Sequence, residues 1–195
     1  MRTDLEDCST LTVMCLEKIG EVWCGVILDD QRHVVSCGFS NEGKADVTNS
    51  ILNSVPDDTG IIESNADKYG SSILHNISLI YEGKDPEFTP EFAWERLPPF
   101  FRRALRVTFI IPKGKVSTYQ GVAEGAGEPK AARAAGNAEA SNPFAPFVPC
   151  HRVISSSLSL GGYGGSLDVK KAILIREGVV FSGEFVRREC VWKPS

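Results

Sequence analysis

Hydrophobic residues cluster near the N-terminus in three runs, Leu11–Glu17, Glu21–Leu28 and Arg32–Phe39, rich in Val, Ile, Leu and aromatic side chains and separated by Gly20 and by Asp29-Asp30-Gln31. Such runs between turn-forming residues predict three strands. If Asp30-Gln31 is a two-residue hairpin turn, opposing positions sum to 61 and Cys24 faces Cys37. Residues 65–82 carry Ile73, Leu74, Ile77, Leu79 and Ile80 at helical spacing, which predicts a helix covering the sheet. The polar stretch from Glu82 to Pro90 contains Gly83, Pro86 and Pro90 and predicts a linker. Beyond it, Leu97–Ile111 reads as a helix with Pro98 and Pro99 in its first turn, and with Arg102, Arg103 and Arg106 on a solvated or interdomain stripe.

A pair of short helices follows. Ser117 and Gln120 have capping-box spacing, Gly127 terminates the first helix, and Pro129 suits the first turn of a second helix running to Ala138. That second helix is almost all Ala and Gly around one large basic residue, Arg133, so its backbone can approach a partner surface closely. An alanine-rich packing helix with a solvated arginine has the same sequence. Leu167–Arg176 reads as a further helix. The expected fold class is α+β: an N-terminal sheet-plus-helix domain over residues 1–88, then a mainly helical domain with a helix-turn-helix over residues 89–195.

Charge sharpens this division. Residues 1–95 hold 6 Lys and Arg against 18 Asp and Glu, a balance of −12, whereas residues 96–195 hold 15 against 7, a balance of +8. The overall −4 therefore conceals a basic half of the kind that neutralises phosphates. Mutual attraction of the halves would produce the same split. The 42% hydrophobic content suffices for globular cores, and no apolar run approaches the ~20 residues of a membrane span. The charged start Met1–Asp7 is unlike a secretory signal, so an intracellular protein with reduced thiols is expected. The six cysteines, at 8, 15, 24, 37, 150 and 190, form no C-x-x-C pair. A zinc site built from Cys8 or Cys24 with His33 and His75 matches no compact metal motif, and no metal or other cofactor is expected.

The segment richest in chemistry is Pro149-Cys150-His151-Arg152-Val153, which sets a nucleophile beside a base. Cysteine attacks as its thiolate, a minor species at neutral pH unless a neighbouring group activates it, and His151 and Arg152 are the candidates. Adjacency alone does not establish contact, because successive side chains diverge on regular elements. Activation by His151 requires irregular backbone or a bridging water. A buried, inert cysteine would carry the same local sequence.

With Gly114–Tyr119, Pro129–Gly136, Asn142-Pro143, Pro149–Val153, Gly162-Tyr163-Gly164-Gly165 and Glu177-Gly178 in order, the chain resembles the O6-alkylguanine-DNA alkyltransferases over residues 96–178. The resemblance implies repair by irreversible, stoichiometric transfer of an alkyl group from O6-alkylguanine in DNA to Cys150 after nucleotide flipping. O4-alkylthymine is a further lesion class compatible with it. By the same resemblance Glu177 orients His151, which draws the Cys150 proton through water, and Asn142 ties the recognition helix to the active-site loop. Arg133 fills the vacated base stack, and Tyr119 assists rotation and contacts the extruded guanine. Tyr163 walls the pocket, the Gly164 N–H faces O6, and the carbonyls of Cys150 and Val153 take the guanine amino group. Lys130 and Ala132 belong to the DNA-binding stretch. The implied partner is double-stranded DNA, entered through the minor groove by a monomer without membrane attachment, in the cytoplasm or, in a eukaryote, the nucleus.

Two positions depart from the family pattern. Glu139-Ala140-Ser141 stands where relatives commonly carry basic residues, which predicts lost phosphate contacts and weaker DNA affinity. Ser166 replaces a frequent glycine, which predicts a narrower pocket or a displaced loop. Two other classes fit parts of the sequence: a non-catalytic helix-turn-helix protein that senses lesions, which would not need Cys150, and a cysteine hydrolase, which would turn over.

Overall fold

The computed structural model describes residues 12–56, 59–64, 66–161 and 166–193. Strands β1 (Thr12–Ile19), β2 (Val22–Leu28) and β3 (Val34–Ser40) form an antiparallel meander, and β4 (Ile61–Glu63) pairs parallel with β1, giving the order β3-β2-β1-β4. Helix α1 (Lys44–Leu52) covers one face, where Val47 and Ile51 meet Met14, Leu16, Ile27 and Val35. Helix α2 (Lys68–Tyr81) covers the other, with Ile73, Leu74 and Ile77 against Cys15, Cys24 and Val26. A sheet buried on both faces needs apolar residues at successive positions, as β2 has. Gly70 of α2 stands where a Cβ would come within 2.3 Å of Cys15 Sγ, so its missing side chain permits the helix to lie this close to β1. The three expected strands and the helix over 65–82 are present; α1 and β4 fall in a stretch for which no element is predicted.

The β2–β3 register differs from expectation. Asp29–His33 forms a wider loop in which Asp29 N–H donates to the His33 carbonyl and Arg32 adopts φ 68°. Its guanidinium is held by Asp67 at 2.5 and 2.6 Å. With an irregularity at Ile27/Leu28, Cys24 pairs with Phe39 and Cys37 with Val26. The two cysteines share a buried face without opposing each other, and both are free thiols. The zinc set is not assembled either: Cys24 lies in the core, while His33 and His75 approach Asp29 and Glu87. Cys8 lies outside the described residues.

No helix or strand spans the residues between Tyr81 and Trp94, as the linker reading predicts, yet the segment is pinned, because Asn76 Oδ1 accepts from Glu87 N–H at 2.6 Å. Then come α3 (Pro99–Phe109), α4 (Tyr119–Gly125), α5 (Ala132–Ala140) and α6 (Leu167–Arg176). Short pairs β5 (Ser117–Thr118) with β6 (Val153–Ile154) and β7 (Phe181–Ser182) with β8 (Phe185–Val186) complete the described elements. On α3, Arg102 pairs with Glu95, Arg103 pairs with Glu128 and donates to the Ala126 carbonyl, and Arg106 lies over the Trp94 ring. That stripe ties neighbouring elements together.

The helix pair α4/α5 forms with two corrections. Thr118, not Ser117, caps α4: its side chain accepts from Gly121 N–H, while Ser117 is buried in β5. Pro129 precedes α5 by three positions, and the helix begins at Ala132. Gly127 does stop the first helix. At φ 82° it lets Gly127 N–H reach the Glu124 carbonyl and Glu128 N–H reach that of Ala123, closing a Schellman motif.

The N-terminal sheet contacts the C-terminal half directly. Val34 N–H donates to the Glu91 carbonyl and Cys37 N–H to that of Pro143, so the free edge of β3 is covered. Phe92, Leu105, Phe144, Phe147 and Val148 join the sheet and α2 in one hydrophobic cluster. Among the described residues no helix is long and apolar enough to cross a membrane.

Candidate active site

Cys150, His151 and Arg152 form a single 3₁₀ turn between the apolar Phe144–Val148 segment and β6. This is the irregular backbone that the adjacent nucleophile and base require. Asn142 holds the preceding loop: its amide donates to the Val148 carbonyl at 2.8 Å, and its Oδ1 accepts from Phe144 N–H at 3.0 Å. The same side chain acts to lower the Cys150 pKa. Burial, with the nearby Glu139 carboxyl, pushes the Cys150 thiol up to about 11, so the resting nucleophile is protonated.

Behind it, His151 Nε2 lies 3.0 Å from Glu177 Oε1. Arg152 grips the same carboxylate twice, Nε to Oε2 at 2.9 Å and Nη2 to Oε1 at 2.7 Å, and its Nη1 donates to the Ile111 carbonyl. Burial alone would raise the Glu177 pKa, but the hydrogen bonds from His151 and Arg152 outweigh it and hold the carboxyl at about 2. An ionised carboxylate only accepts, so Nε2 carries the hydrogen and the Nδ1 lone pair is left as a base. Nδ1 is buried and has no hydrogen-bond partner among the described residues. Burial lowers the His151 pKa despite Glu177, which keeps the ring neutral. No hydrogen bond joins Cys150 directly to His151 among those described.

A cavity of about 670 Å³ opens over the sulfur, lined among others by Tyr119, Ala132, Arg133, Glu139 and Cys150. Arg133 is exposed at its rim without an ion pair or hydrogen bond among the described residues, whereas Tyr119 is half-buried and packs beside Gly136 and Gly161. A second groove of about 440 Å³ reaches Glu139 and Cys150 from the side of β3 and α1.

Residues 99–179 match the family model of the 6-O-methylguanine DNA methyltransferase DNA-binding domain. Over those residues the chain resembles the 6-O-methylguanine DNA methyltransferase family. It is 42% identical over 104 residues to the methylated-DNA–protein-cysteine methyltransferase of Mycolicibacterium paratuberculosis, covering 53% of this chain and 62% of that one. Against the human protein of the same name the identity is 45% over 80 residues, 40% of this chain and 39% of that one. The chain thus spans less than two thirds of the length of these curated relatives. The fold likeness extends further: the Mycobacterium tuberculosis OGT, solved in complex with DNA, superposes with a TM-score of 0.68 at 26% identity over 85% of this chain and 92% of that chain.

Among the residues singled out by resemblance to this methyltransferase family, Cys150, His151, Glu177 and Asn142 come together, and Tyr119, Arg133 and Ala132 border the cavity above them. Lys130 is exposed and is not among the residues lining the cavity. Val153 is buried in β6 with its carbonyl already accepting from Lys170 at 2.8 Å, and the Cys150 carbonyl accepts from Val153 N–H. Each carbonyl keeps a second lone pair for a ligand. Tyr163 and Gly164 lie outside the described residues. Ser166 caps α6, its Oγ accepting from Asp168 N–H, and borders the second groove rather than the cavity over Cys150.

Three side chains of the site escaped the sequence reading. Arg152 was visible beside Cys150, but its clamp on Glu177 was not. Lys170 is fully buried, with Nζ donating to the Val153 and Leu160 carbonyls. Its signal is a position on the stripe of α6 that also carries Ile173 and Leu174. Glu139, which the sequence marks only as the loss of a basic residue, turns into the protein, 8% exposed.

Proposed function

We propose that the chain repairs DNA by direct reversal, moving the alkyl carbon of O6-alkylguanine to Cys150 Sγ in a single turnover. The observation carrying this reading is a protonated cysteine at the floor of a cavity, backed by a neutral imidazole whose base lone pair is set by a buried carboxylate. In the step, a sulfur–carbon bond forms as the O6–carbon bond breaks. The thiol proton passes to His151 Nδ1 through a bridging water, and the departing guanine takes up one proton to become the normal base. The thioether product has no comparable leaving group, so the protein is spent.

O6 of a paired guanine is out of reach, so the nucleotide is rotated into the cavity. Arg133, on the small-residue helix α5, stacks in the vacated position, with α5 entering the minor groove of duplex DNA. Lys130 contributes phosphate attraction, and Tyr119 contacts the rotated base. The segment up to residue 88 acts as a scaffold for residues 89–195, a reading supported by the bonds of β3 to Pro143 and Ala145. The protein works as a monomer wherever its DNA resides, in the cytoplasm or a nucleus.

The test is intact-mass analysis after exposure to a duplex bearing O6-methylguanine. One persistent methyl adduct mapping to Cys150 is expected. An unmodified protein, or repeated turnover, would overturn the proposal.

A further inference from the structure

Glu139 is an anomaly within α5. The buried stripe of that helix consists of Ala135, Ala138 and this glutamate, the one ionisable group among its buried positions. Thr108 Oγ1 of α3 shares a hydrogen bond of 2.6 Å with Oε1, which accounts for half of the carboxyl as a tether between helices. Oε2 is buried and has no hydrogen-bond partner among the described residues. Buried polar atoms are nearly always satisfied, so an orphan beside a nucleophile calls for an explanation that a tether does not supply. Glu139 and Cys150 line the same two cavities.

We propose that Glu139 is a specificity-determining residue whose Oε2 forms a hydrogen bond with the distal polar atom of the transferred group, favouring hydroxyalkyl over hydrocarbon adducts of equal size. The inference rests on the alkyl-transfer reading given above. Burial raises the Glu139 pKa to about 8, so at neutral pH the side chain is mostly a neutral acid. With the Thr108 hydroxyl hydrogen placed to donate to the Ala104 carbonyl at 3.2 Å, the acid proton resides on Oε1 and is donated to Thr108 Oγ1, leaving Oε2 as an acceptor. A neutral carboxyl adds no negative charge beside the sulfur, where ionisation would oppose thiolate formation. Its Oε2 offers an acceptor, which matches the hydrogen of a hydroxyl and leaves a methyl group unrecognised.

The test compares duplexes carrying O6-(2-hydroxyethyl)guanine and O6-propylguanine, which differ by OH for CH₃ at the same length. Second-order rates of adduct formation are read by intact mass at pH 7 for the wild-type protein, Glu139→Gln and Glu139→Ala. The wild-type protein is expected to favour hydroxyethyl over propyl by about tenfold, the size of one hydrogen bond to an otherwise unpaired group. Glu139→Gln, whose amide oxygen retains an acceptor of the same shape while its NH₂ donates to Thr108, keeps most of that preference, and Glu139→Ala loses it. A wild-type ratio near one, or a ratio unchanged in Glu139→Ala, overturns the proposal. Should Glu139→Ala fail to fold, the wild-type and Glu139→Gln ratios decide: a preference in both supports it, and none in either sinks it. Methyl transfer from O6-methylguanine by the wild-type protein runs alongside. Its absence would refute the underlying reading, whereas its presence without hydroxyl preference would refute only the role of Glu139.

Discussion

His151 donates its Nε2 hydrogen to Glu177 across 3.0 Å with both side chains only 1% exposed, so the orientation of the base is set inside the protein rather than by solvent. Replacing Glu177 by Gln removes the charge that fixes this tautomer and leaves Arg152 facing a neutral amide. Transfer to Cys150 is expected to slow by at least about 100-fold, as for other triads whose carboxylate is neutralised. Stability should fall by about 3 kcal/mol, because a charge partner of a largely buried guanidinium is lost. Single-turnover kinetics and urea denaturation check the two effects separately.

Cys150→Ser should abolish adduct formation while duplex binding stays close to that of the wild-type protein. The sulfur accepts the alkyl group, whereas affinity derives from phosphate contacts and the helix pair. Intact mass and fluorescence anisotropy at fixed salt measure these outcomes, and residual alkylation at position 150 would contradict the mechanism.

Arg133→Ala should impair reaction with alkylated duplex far more than reaction with O6-benzylguanine as a free base. The guanidinium stands exposed at the rim, away from the His151–Glu177–Arg152 assembly, so its task belongs to base displacement. Equal losses with both substrates would assign it to the fold instead.

The two buried carboxyls of the site should respond to pH in opposite directions. Glu177 is held at about 2, below its unfolded value, so its contribution to stability is fully present above pH 4.5 and is lost as pH falls toward 2. Glu139 is raised to about 8, so the folded state binds the extra proton between pH 4.5 and 8 and its contribution fades as pH rises through that window. Glu139→Gln, which cannot ionise, should therefore raise the melting temperature relative to the wild-type protein at pH 8.5 and change it little at pH 5. Calorimetry at the two pH values checks the sign.

Thiol titration offers a test independent of DNA. The unfolded chain should present six reactive thiols with or without reductant, because Cys15, Cys24, Cys37, Cys150 and Cys190 are all free and Cys24 and Cys37 do not face each other. In the native protein these five should react slowly. Burial pushes Cys15 to about 11 and Cys24 to about 12, and it raises Cys37 as well.

What the sequence determined by itself was local or carried by contiguous motifs. Strands β1, β2 and β3 and helix α2 follow from apolar spacing, the end of α4 from the φ that Gly127 can adopt, and the motif order pointed to Cys150, His151, Asn142 and Glu177 together. Tertiary structure decided what depends on distance through space. In the wider β2–β3 loop, Arg32 reaches Asp67, 35 residues away. The grip of Arg152 on Glu177 and Ile111, and of Lys170 on two carbonyls, spans elements whose sequence separation hides their contact. Glu139 shows the limit most clearly. A charged residue near a helix end reads as solvated, because exposure is the cheapest state for a carboxylate. Only the packing of α5 against α3, with Thr108 placed to share one hydrogen bond with the carboxyl, favours its buried, protonated form.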